Sequence, residues 1–378
     1  MEKVSLLGCP DYEPGRLDAV VERHFAALEA AGPLIRPGDR VAVKPNLVMA
    51  RAPEEATTTH PAFVAAVLRA VKRRGGEPVI AESPGGPYTR FNLRAVYSAT
   101  GIEAAARAEN VPLNYDLGSA ERPAEGAEYC RFFPVIRPVL QADVVISVAK
   151  LKTHCMTGYS GAVKNLFGVV PGLTKPEFHY RFPEKAAFGG MLVDLCEAVR
   201  PAISLLDGIV GMEGNGPTGG HPRPMGLTAA SRNPHALDLL ASRLIGMTPE
   251  EVPTLRDAIA RKLCPADVGG LAVAGDRAER FLCDFEKPES QTNDFLRNAR
   301  VPAFIRRPLT RMLTPRPSIR RSACMGCGKC AESCPRHTIA IQAHKAVIDY
   351  SRCIRCFCCH EMCPHRAIDI RRFRLFGL

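Results

Sequence analysis

The sequence predicts an α/β protein with a parallel or mixed sheet and flanking helices, followed by a small α+β domain at the C-terminus. Strand patterns alternate with helix patterns through most of the chain, which is typical of α/β architecture. One segment, Ala142–Ala149, is apolar almost throughout, like strands that are buried on both faces of a parallel sheet. The end of the chain instead holds two groups of closely spaced cysteines, which indicate a separate small domain.

The individual elements follow from apolar spacing and from the positions of glycine and proline. Leu17, Val20, Val21, Phe25 and Leu28 recur at helical spacing, for example, and Gly32 ends that segment. The predicted strands are Val4–Gly8, Asp39–Val48, Pro78–Glu82, 111–117, Ala142–Ala149, Ala202–Leu206, Leu227–Ala230 and Leu271–Ala274. The predicted helices are Leu17–Ala31, Pro61–Arg74, 92–109, Lys185–Val199, Pro234–Ile245 and Pro249–Lys262, and another begins within Gly161–Phe167.

Two runs of cysteines near the C-terminus share one layout, C-x2-C-x2-C-x3-C-P. The first run is Cys324, Cys327, Cys330 and Cys334 before Pro335, and the second is Cys353, Cys356, Cys359 and Cys363 before Pro364. This spacing is typical of four-iron four-sulfur clusters, and in two-cluster proteins the fourth cysteine of each run binds the other cluster. We therefore predict two 4Fe-4S clusters, one held by Cys324, Cys327, Cys330 and Cys363 and the other by Cys353, Cys356, Cys359 and Cys334.

The alternative for these cysteines is a pair of structural zinc sites, because CxxC pairs also bind zinc. Zinc ribbons need two separated CxxC pairs, whereas this layout of three evenly spaced cysteines and a distal Cys-Pro occurs twice. The short apolar segments after each Cys-Pro, Thr338–Ile341 and Ala367–Ile370, look like the strands of a bacterial two-cluster ferredoxin. Cys358 is out of register, and we expect it to pack near a cluster without binding iron.

Length and cysteine usage suggest how the chain is divided and where it works. A chain of 378 residues predicts two or three domains. We place an α/β domain at 1–296, a Pro- and Arg-rich linker at 297–318 and the cluster domain at 319–378. The seven cysteines outside the two runs lack framework spacing, which together with oxygen-sensitive clusters predicts a cytoplasmic protein. No apolar run approaches the roughly 18 residues of a membrane span.

The formal net charge of +11 is unevenly distributed. Between Phe295 and Arg321 there are eight arginines and no acidic residue. This segment is either a solvated linker or a docking face for an acidic electron donor or an anionic surface. Nucleic-acid binding is not expected, since the sequence has no helix-turn-helix, finger or aromatic-basic RNA motif. Membrane association is not expected either, because prolines interrupt the apolar-basic patch at Ala303–Leu313.

Several polar residues follow predicted strands, at the end where open α/β sheets bind their ligands. Histidine titrates near neutrality, and a lysine that is desolvated or beside other cations can lose its proton, so the set suits an anionic substrate and proton transfer. Each residue alone also has a plain structural explanation, as a solvated lysine or a capping histidine. The set contains Lys44, Asn46, Glu82, Lys150, Lys152, His154 and Asp207 after strands, and His60, Lys164 and Asn165 near helix starts.

Two apparent motifs fail on their context. The segment Gly214–Gly219 matches G-x-G-x-x-G but is followed by Gly-His-Pro-Arg-Pro rather than a helix, so we interpret it as a flexible loop bordering the cleft. Ser160 is no nucleophile-elbow candidate, because Gly158-Tyr-Ser160-Gly161 is one residue short of that motif. A flavin could occupy the cleft, but no motif identifies one, and no Walker A sequence is present.

The larger part of the chain resembles a family catalogued as domain of unknown function 362, which is often fused to a bacterial-type ferredoxin. The match spans about residues 39–246, and position 233 carries Asn where the family pattern leads us to expect Asp. The motifs are Lys44–Asn46, Thr59–Pro61, Ala81–Ser83, Val148–His154, Ser160–Gly168, Ala202–Gly208, Glu213–Pro217 and Asn233–Asp238. The resemblance implies a shared cleft and an iron-sulfur oxidoreductase-like protein. The substrate-binding set that we predict is Lys44, Asn46, Lys150, Asn165, Gly208 and Glu213.

The leading hypothesis is an iron-sulfur reductase. An acidic donor such as ferredoxin or flavodoxin would supply electrons through the basic C-terminal domain to an anionic small molecule in the α/β cleft. The histidines would supply protons, the lysines would hold the substrate, and the carboxylates would orient these groups. The predicted catalytic residues are Lys152, His154, His60, Lys164, Asp207 and Glu82.

Two hypotheses of other classes stay open. The chain could be an electron-transfer subunit without catalysis of its own, and such a carrier would not need to bind a small anion. It could also be an enzyme of non-redox acid-base or metal-assisted chemistry with structural or regulatory clusters. Replacement of Cys327 would abolish activity in a reductase and could spare it in the last case.

Overall fold

The computed structural model describes residues 1–290 and 314–371. Most of the predicted linker 297–318, including the whole of the patch Ala303–Leu313, lies outside these residues. We refer to residues 1–290 as the α/β body and to residues 314–371 as the cysteine-rich region.

The strands of the body alternate with helices along most of the chain. They are β1 (Glu2–Gly8), β2 (Arg40–Pro45), β3 (Glu77–Ile80), β4 (Ser119–Pro123), β5 (Phe132–Ile136), β6 (Val144–His154), β7 (Gly158–Ser160), β8 (Ile203–Glu213), β9 (His221–Ser231) and β10 (Leu271–Gly275). The helices are α1 (Pro14–Glu29), α2 (Pro61–Arg73), α3 (Arg90–Ala99), α4 (Ile102–Ala108), α5 (Arg137–Leu140), α6 (Ala162–Asn165), α7 (Thr174–Arg181), α8 (Lys185–Val199), α9 (Pro234–Leu244) and α10 (Pro253–Ala260). Short 3-10 helices lie at Pro53–Glu55, Leu166–Val169, Pro249–Glu251, Val268–Gly270 and Ala278–Phe281.

One mixed sheet organises the body. Its strand order is β10-β1-β9-β8-β6-β2-β3, with β7 paired to the end of β6. Strands β3, β2, β6 and β8 run parallel to one another, whereas β9 runs antiparallel to both of its neighbours. This arrangement confirms the predicted α/β class with a mixed sheet.

The sheet is buried because helices cover both of its faces. Alternate residues of β2 point to opposite sides, so that Val41 and Val43 pack with helices α1 and α2 while Ala42 packs with α8. Residues of β6 from Val145 to His154 are all buried, as its nearly continuous apolar sequence predicts. Among the described residues, no helix is long and apolar enough to cross a membrane.

Several predicted boundaries are wrong. Segment 111–117 forms no strand and contributes only an isolated bridge between Ile80 and Leu113. The predicted helix 92–109 is two helices, because Gly101 adopts a positive φ of 73° between them. Strands β6 and β8 continue several residues beyond their predicted ends. Sequence analysis also missed the hairpin β4–β5 and helix α7.

Position 233, which carries Asn where we expected Asp, has a structural role that either residue fills. The Asn233 side chain is the N-cap of α9 and accepts hydrogen bonds from the backbone N–H groups of His235 and Ala236. Aspartate and asparagine are about equally good at this position. The departure from the expected pattern therefore leaves the local fold unchanged.

The cysteine-rich region contains two small antiparallel sheets and two short helices. Its elements are β11 (Arg316–Ile319), α11 (Lys329–Glu332), β12 (Ile339–Gln342), β13 (Lys345–Ile348), α12 (Cys358–Glu361) and β14 (Ile368–Arg371). Strand β11 pairs with β14, and β12 pairs with β13. Each short helix lies within one cysteine run, so the repeat in sequence is also a repeat in structure.

The cysteine-rich region is attached to the body by polar contacts. Thr218 Oγ1 donates a hydrogen bond to the Glu361 carbonyl at 2.9 Å, and Arg51 donates to the Cys363 carbonyl at 3.3 Å. His360 Nε2 lies 3.0 Å from the Asn215 carbonyl oxygen. The glycine-containing segment Gly214–Gly219 thus contacts the cysteine-rich region directly.

Candidate active site

A pocket lies where the body meets the cysteine-rich region. It encloses about 680 Å³ of empty space, a volume that includes open solvent at its mouth. We call it the interface pocket. Its polar and charged wall comes from Lys44, Asn46, Glu82, Ser83, Lys152, His154, Ser160, Lys164, Asn165, Lys175 and His179 of the body and from Ser333, Cys358 and Glu361 of the cysteine-rich region.

Seven of the twelve predicted catalytic and substrate-binding residues line this pocket. They are Lys44, Asn46, Glu82, Lys152, His154, Lys164 and Asn165. Lys152 and His154 are two residues apart within β6, so their side chains leave the same face of the strand. The sequence predicted that both residues follow the strand, whereas in the structure they lie within the last three residues of β6. The predicted cleft therefore exists for this group.

The other five predicted residues lie elsewhere, which corrects the prediction of a single cleft. Lys150, Asp207 and His60 form part of a closed group with Tyr12, described below. Gly208 is buried against Leu227 and Leu151 of the sheet. Glu213, at the end of β8, lies 3.3 Å from His221 Nε2 and accepts the backbone N–H of Glu286.

The closed group is held together by one carboxylate, and we call it the sealed cluster. Asp207 accepts hydrogen bonds from Lys150 Nζ at 2.9 Å, from the Tyr12 hydroxyl at 2.9 Å and from the His60 backbone N–H at 2.9 Å. The His60 ring stacks on Tyr12 with centroids 3.6 Å apart. Lys150 and Asp207 are buried and form an ion pair, whereas Tyr12 and His60 are partly exposed. The two buried charges are therefore satisfied by each other without any ligand.

A chain of hydrogen bonds fixes the floor of the interface pocket. Lys44 Nζ donates to Glu82 Oε2 at 2.7 Å and to Asn165 Oδ1 at 2.9 Å. Asn46 Nδ2 also donates to Asn165, and its Oδ1 accepts from Lys152 Nζ at 2.8 Å. Lys44, Lys152 and Asn165 belong to β2, β6 and α6, and Asn46 and Glu82 lie just beyond the ends of β2 and β3. The sheet edge and α6 together therefore hold the network in place.

Two lysines of the pocket, the buried Lys152 and the partly exposed Lys175, have no carboxylate bound to them in the described ranges. Lys152 donates to Asn46 Oδ1 and to the Thr57 carbonyl at 2.7 Å. Lys175 donates to the carbonyls of Ser83 and Pro84 at 2.7 and 3.1 Å. Burial in these surroundings lowers the pKa of each ammonium group to about 7. Both lysines are therefore poised between charged and neutral forms near pH 7.

A third lysine, Lys164, is the least restrained of the pocket. Its ammonium group lies 4.8 Å from the centre of the Phe167 ring. No hydrogen bond to this group is found in residues 1–290 or 314–371, and burial lowers its pKa. A cation that faces a cavity without an anionic partner is suited to bind an anion.

Two buried histidines add neutral donors to the wall. His154 Nδ1 accepts the backbone N–H of Met156 at 3.0 Å, which assigns the proton to Nε2. Nε2 is buried with no hydrogen-bond partner in the described part of the chain, and Glu361 Oε2 is 3.9 Å away. His179 Nδ1 is likewise unpartnered there, and burial lowers the pKa of His179 to about 3. Burial lowers the pKa of His154 as well, so both rings are neutral at pH 7.

Sequence analysis missed Lys175, His179 and the three wall residues of the cysteine-rich region. Lys175 and His179 are four residues apart on α7 and therefore share one face of that helix. This four-residue spacing in the sequence could have indicated that Lys175 and His179 face the same site. Nothing local to Ser333, Cys358 or Glu361 indicates that they face a pocket, because that depends on how the two parts of the chain pack together. Cys358 had been expected only to pack beside a cluster.

The eight predicted cluster ligands line two further cavities. Cys324, Cys327, Cys330 and Cys363 surround one, which we call the outer cavity, and Cys334, Cys353, Cys356 and Cys359 surround the other, the inner cavity. These are the two groups that the crossing of the fourth cysteines predicts. The ligand assignment itself stays a prediction.

The surroundings of these thiols suit iron-sulfur clusters. Backbone N–H groups of Ala346, Thr338 and Ala367 lie 3.4, 3.4 and 3.2 Å from Cys324, Cys334 and Cys363 Sγ, where they can donate to a thiolate. Hydrogen bonds to cluster sulfurs are among the features that set cluster potentials. The four predicted ligand thiols of each cavity and these donors fit one 4Fe-4S cluster in each, and Cys358 lines the inner cavity as a fifth cysteine.

The fold and the two kinds of site define an α/β protein with an appended iron-sulfur region. The chain matches the family described as domain of unknown function (DUF362) over residues 41–243 and a 4Fe-4S dicluster domain over residues 316–364. It belongs to the DUF362 family and carries a 4Fe-4S dicluster domain C-terminal to the family's domain. The resemblance predicted from the sequence motifs is thereby confirmed.

The proteins similar to this chain include a curated relative and solved structures. The thylakoid-associated protein sll1697 of Synechocystis is 36% identical over 256 residues, which cover 68% of this chain and 78% of the relative. The lactate racemase apoprotein of Thermoanaerobacterium thermosaccharolyticum covers 79% of this chain and 89% of its own, with 10% identity and a TM-score of 0.39. A Thermotoga maritima protein covers 55% of this chain and 52% of its own, with 14% identity and a TM-score of 0.33. At these TM-scores neither structure bears on the function of this chain.

Proposed function

We propose that this chain is an iron-sulfur oxidoreductase that acts on a small anionic substrate bound in the interface pocket. The observation that carries the proposal is the composition of the pocket wall. Buried lysines and histidines of the body face residues that are sequence neighbours of the predicted cluster ligands. Ser333 precedes Cys334, Met362 precedes Cys363, and Cys358 lies between Cys356 and Cys359.

The pocket favours an anion because its positive groups outnumber its carboxylates. Glu82 is bound to Lys44, and Glu361 is the other carboxylate in the wall, whereas Lys152, Lys164 and Lys175 have no bonded carboxylate among the described residues. An anion in the pocket would satisfy these ammonium groups and could accept the unpartnered Nε2–H of His154. Apolar groups such as Phe167 and Met362 would contact the rest of the substrate.

The two parts of the wall would have separate roles. The outer and inner cavities would each hold one 4Fe-4S cluster, and such clusters supply one-electron transfer when bound. The body would position the substrate, and Lys152 or Lys175 could deliver a proton, since a pKa of about 7 lets a lysine give or take one near neutral pH. His154, held neutral, would act as a hydrogen-bond donor rather than as an acid.

Iron content and spectroscopy test this proposal. Anaerobically reconstituted protein should contain about eight irons per chain, and fewer than about six would contradict two clusters. Mass spectrometry should identify a small anion that co-purifies, and adding it should perturb the electron paramagnetic resonance spectrum of the reduced protein, because the pocket adjoins the cluster loops. Lys164→Met should abolish this perturbation. An unperturbed spectrum with every co-purified anion would overturn the proposal.

An acid-base enzyme with structural clusters is the second candidate, and the pKa of about 7 of two pocket lysines favours it. The Cys327→Ala variant separates the two candidates once a substrate is known. An oxidoreductase should lose turnover, whereas an acid-base enzyme should keep it as long as the body stays folded. Thermal unfolding of the variant provides that control.

A further inference from the structure

The two cysteine cavities have different surroundings. The inner cavity shares Cys358 with the interface pocket, so it is the one beside the bound substrate. The outer cavity faces solvent at Cys327, which is the exposed one of the eight predicted ligands, and at Met325, whose exposed fraction is 68%. A redox centre that must exchange electrons with another protein needs such an exposed edge, and among the described residues the outer cavity has the more exposed one, since Cys353 and Cys356 of the inner cavity are only partly exposed.

Among the described residues, the excess of positive charge lies in the cysteine-rich region, and part of it is near this exposed edge. Residues 1–290 contain 33 Lys or Arg and 34 Asp or Glu, whereas residues 314–371 contain ten Lys or Arg and four Asp or Glu. Arg320, Arg321 and Lys329 are exposed in or just before the loop that lines the outer cavity. Asp369 and Glu332 lie 3.5 and 3.2 Å from Arg320 and Lys329, but Arg321 has no ion pair in the described ranges.

We infer that the face formed by Arg320, Arg321, Met325, Cys327 and Lys329 is the docking surface for a small acidic electron-transfer protein. The inference rests on the proposed function and adds the partner and the side from which it approaches. Charge complementarity argues for this partner, because exposed basic residues lie on both sides in sequence of Met325 and Cys327, which line the outer cavity. Redox complexes of this kind are small and steered by charge.

The exchange at this face is a one-electron transfer without bond formation. In each encounter the reduced partner loses one electron and this chain gains one, so no proton or leaving group is involved. The partner supplies the reductant, and its own redox centre must lie under an acidic surface. An anionic membrane is the competing occupant of a basic face, and the experiment below includes it.

Binding measurements on the cluster-loaded protein test the inference. The probe is an acidic bacterial ferredoxin, and its dissociation constant is measured by isothermal titration calorimetry at low and high ionic strength. Arg321→Glu should weaken binding about threefold to tenfold, and Arg321→Glu with Lys329→Glu at least about tenfold, at low salt. The differences should shrink at high salt, where exposed charges are screened over a few ångströms. Iron content is measured for each variant, so that loss of a cluster is not mistaken for loss of docking.

A matched charge reversal on the body is the control. Arg23→Glu with Arg256→Glu changes the net charge by the same amount on exposed positions of α1 and α10. This control should leave the dissociation constant for ferredoxin within about twofold of the wild-type value. Equal weakening by both double variants would show that only overall charge matters, and it would overturn a specific face.

Two other results would also overturn the inference. One is unchanged ferredoxin binding in Arg321→Glu and in the double variant. The other is binding to phosphatidylglycerol vesicles, lost in the double variant, when no ferredoxin binding is measurable in the wild-type protein. Failure of the proposed function gives a different result. In that case the co-purified anion does not change the electron paramagnetic resonance spectrum of the clusters, while ferredoxin still binds with the same affinity.

Discussion

Two buried lysines on one strand illustrate the difference between a structural and a functional charge. Lys150 and Lys152 are neighbours on the same face of β6, and both are almost completely buried. Lys150 is bonded to the carboxylate of Asp207 and to the Tyr12 hydroxyl. Lys152 is bonded only to neutral oxygens in the described residues and borders the interface pocket. Burial alone therefore does not identify a site, whereas a buried charge without a counter-ion beside a cavity does.

The same difference separates the two regions to which these lysines belong. In the sealed cluster, the two buried charges of Lys150 and Asp207 are paired, and removal of either one leaves the other buried without its partner. In the interface pocket, the cost of burying lysines without carboxylates is already present, and a bound anion would reduce it. The first region should therefore control stability and the second ligand binding.

The largest expected effect is the loss of stability on replacing the centre of the sealed cluster. Asp207→Ala should lower the free energy of unfolding by about 3–5 kcal/mol, because it leaves Lys150 buried without its partner and removes the acceptor for Tyr12 and His60. Chemical denaturation measures the change. Asp11→Ala, which removes an exposed ion pair with Arg16, is the control and should cost less than about 1 kcal/mol. A loss of less than about 1 kcal/mol for Asp207→Ala would mean that the sealed cluster does not hold the body together.

The next largest effect concerns ligand binding and compares the two lysines directly. Lys152→Met should weaken binding of the co-purified anion about tenfold to a hundredfold, which is about 1.4–2.7 kcal/mol. It should not lower the free energy of unfolding, because it removes a buried charge that has no carboxylate partner among the described residues. Lys150→Met should do the reverse, with binding within about threefold of wild type and a clear loss of stability.

Calorimetry and denaturation on the same two variants check this pair of predictions. If Lys150→Met weakened binding of the anion as strongly as Lys152→Met does, the sealed cluster would be part of the binding site. The original prediction from the sequence, which placed both lysines in one cleft, would then regain its support.

That prediction grouped the lysines correctly along the chain but could not separate their roles. The apolar run of β6 ends at Ala149 in sequence, so the polar residues after it looked like a strand end. In the structure the strand continues to His154, since the cysteine-rich region covers its end and keeps it from water. A local pattern cannot contain this information, because it depends on contacts between residues far apart in the chain.

The parts of the fold that depend on local sequence patterns were predictable. Helices with clear apolar periodicity, such as α1 and α2, lie where the sequence predicts them within a few residues. So does α8, which is apolar and buried over most of its length. Helix α7 was missed because it is short and mostly polar. The cysteine spacing predicted which four thiols meet in each cavity, because cluster ligation constrains spacing much more tightly than packing does.

Anion affinity and the free energy of unfolding should change in opposite directions as pH rises. Lys152 has a pKa of about 7 in the folded protein, against its ordinary value of 10.5. As pH rises through about 7, this lysine loses its charge, so affinity for the anion should fall by up to about tenfold per pH unit. Between about pH 7 and 10.5 the unfolded chain binds more protons at this position, so the free energy of unfolding should rise with pH.

Binding isotherms and denaturation curves at pH 6, 7.5 and 9 would test these signs. Lys175, whose pKa is also about 7, should contribute in the same direction. The Lys152→Met variant should show a shallower dependence in both measurements, because one of the two titrating lysines is gone. Affinity that rises with pH in the wild-type protein would contradict the role given to these lysines.

The smallest expected effect is at Glu213, which the sequence assigned to substrate binding and the structure places outside the pocket. In the ladder between β6 and β8, Lys152 lies beside Met212, so the next residue, Glu213, points to the opposite face of the sheet. Its carboxylate there contacts His221 and Arg223. Glu213→Gln should therefore leave the dissociation constant of the anion within about twofold and cost less than about 1 kcal/mol of stability. A tenfold loss of affinity would show that the end of β8 contacts the substrate and that Glu213 belongs to the binding site.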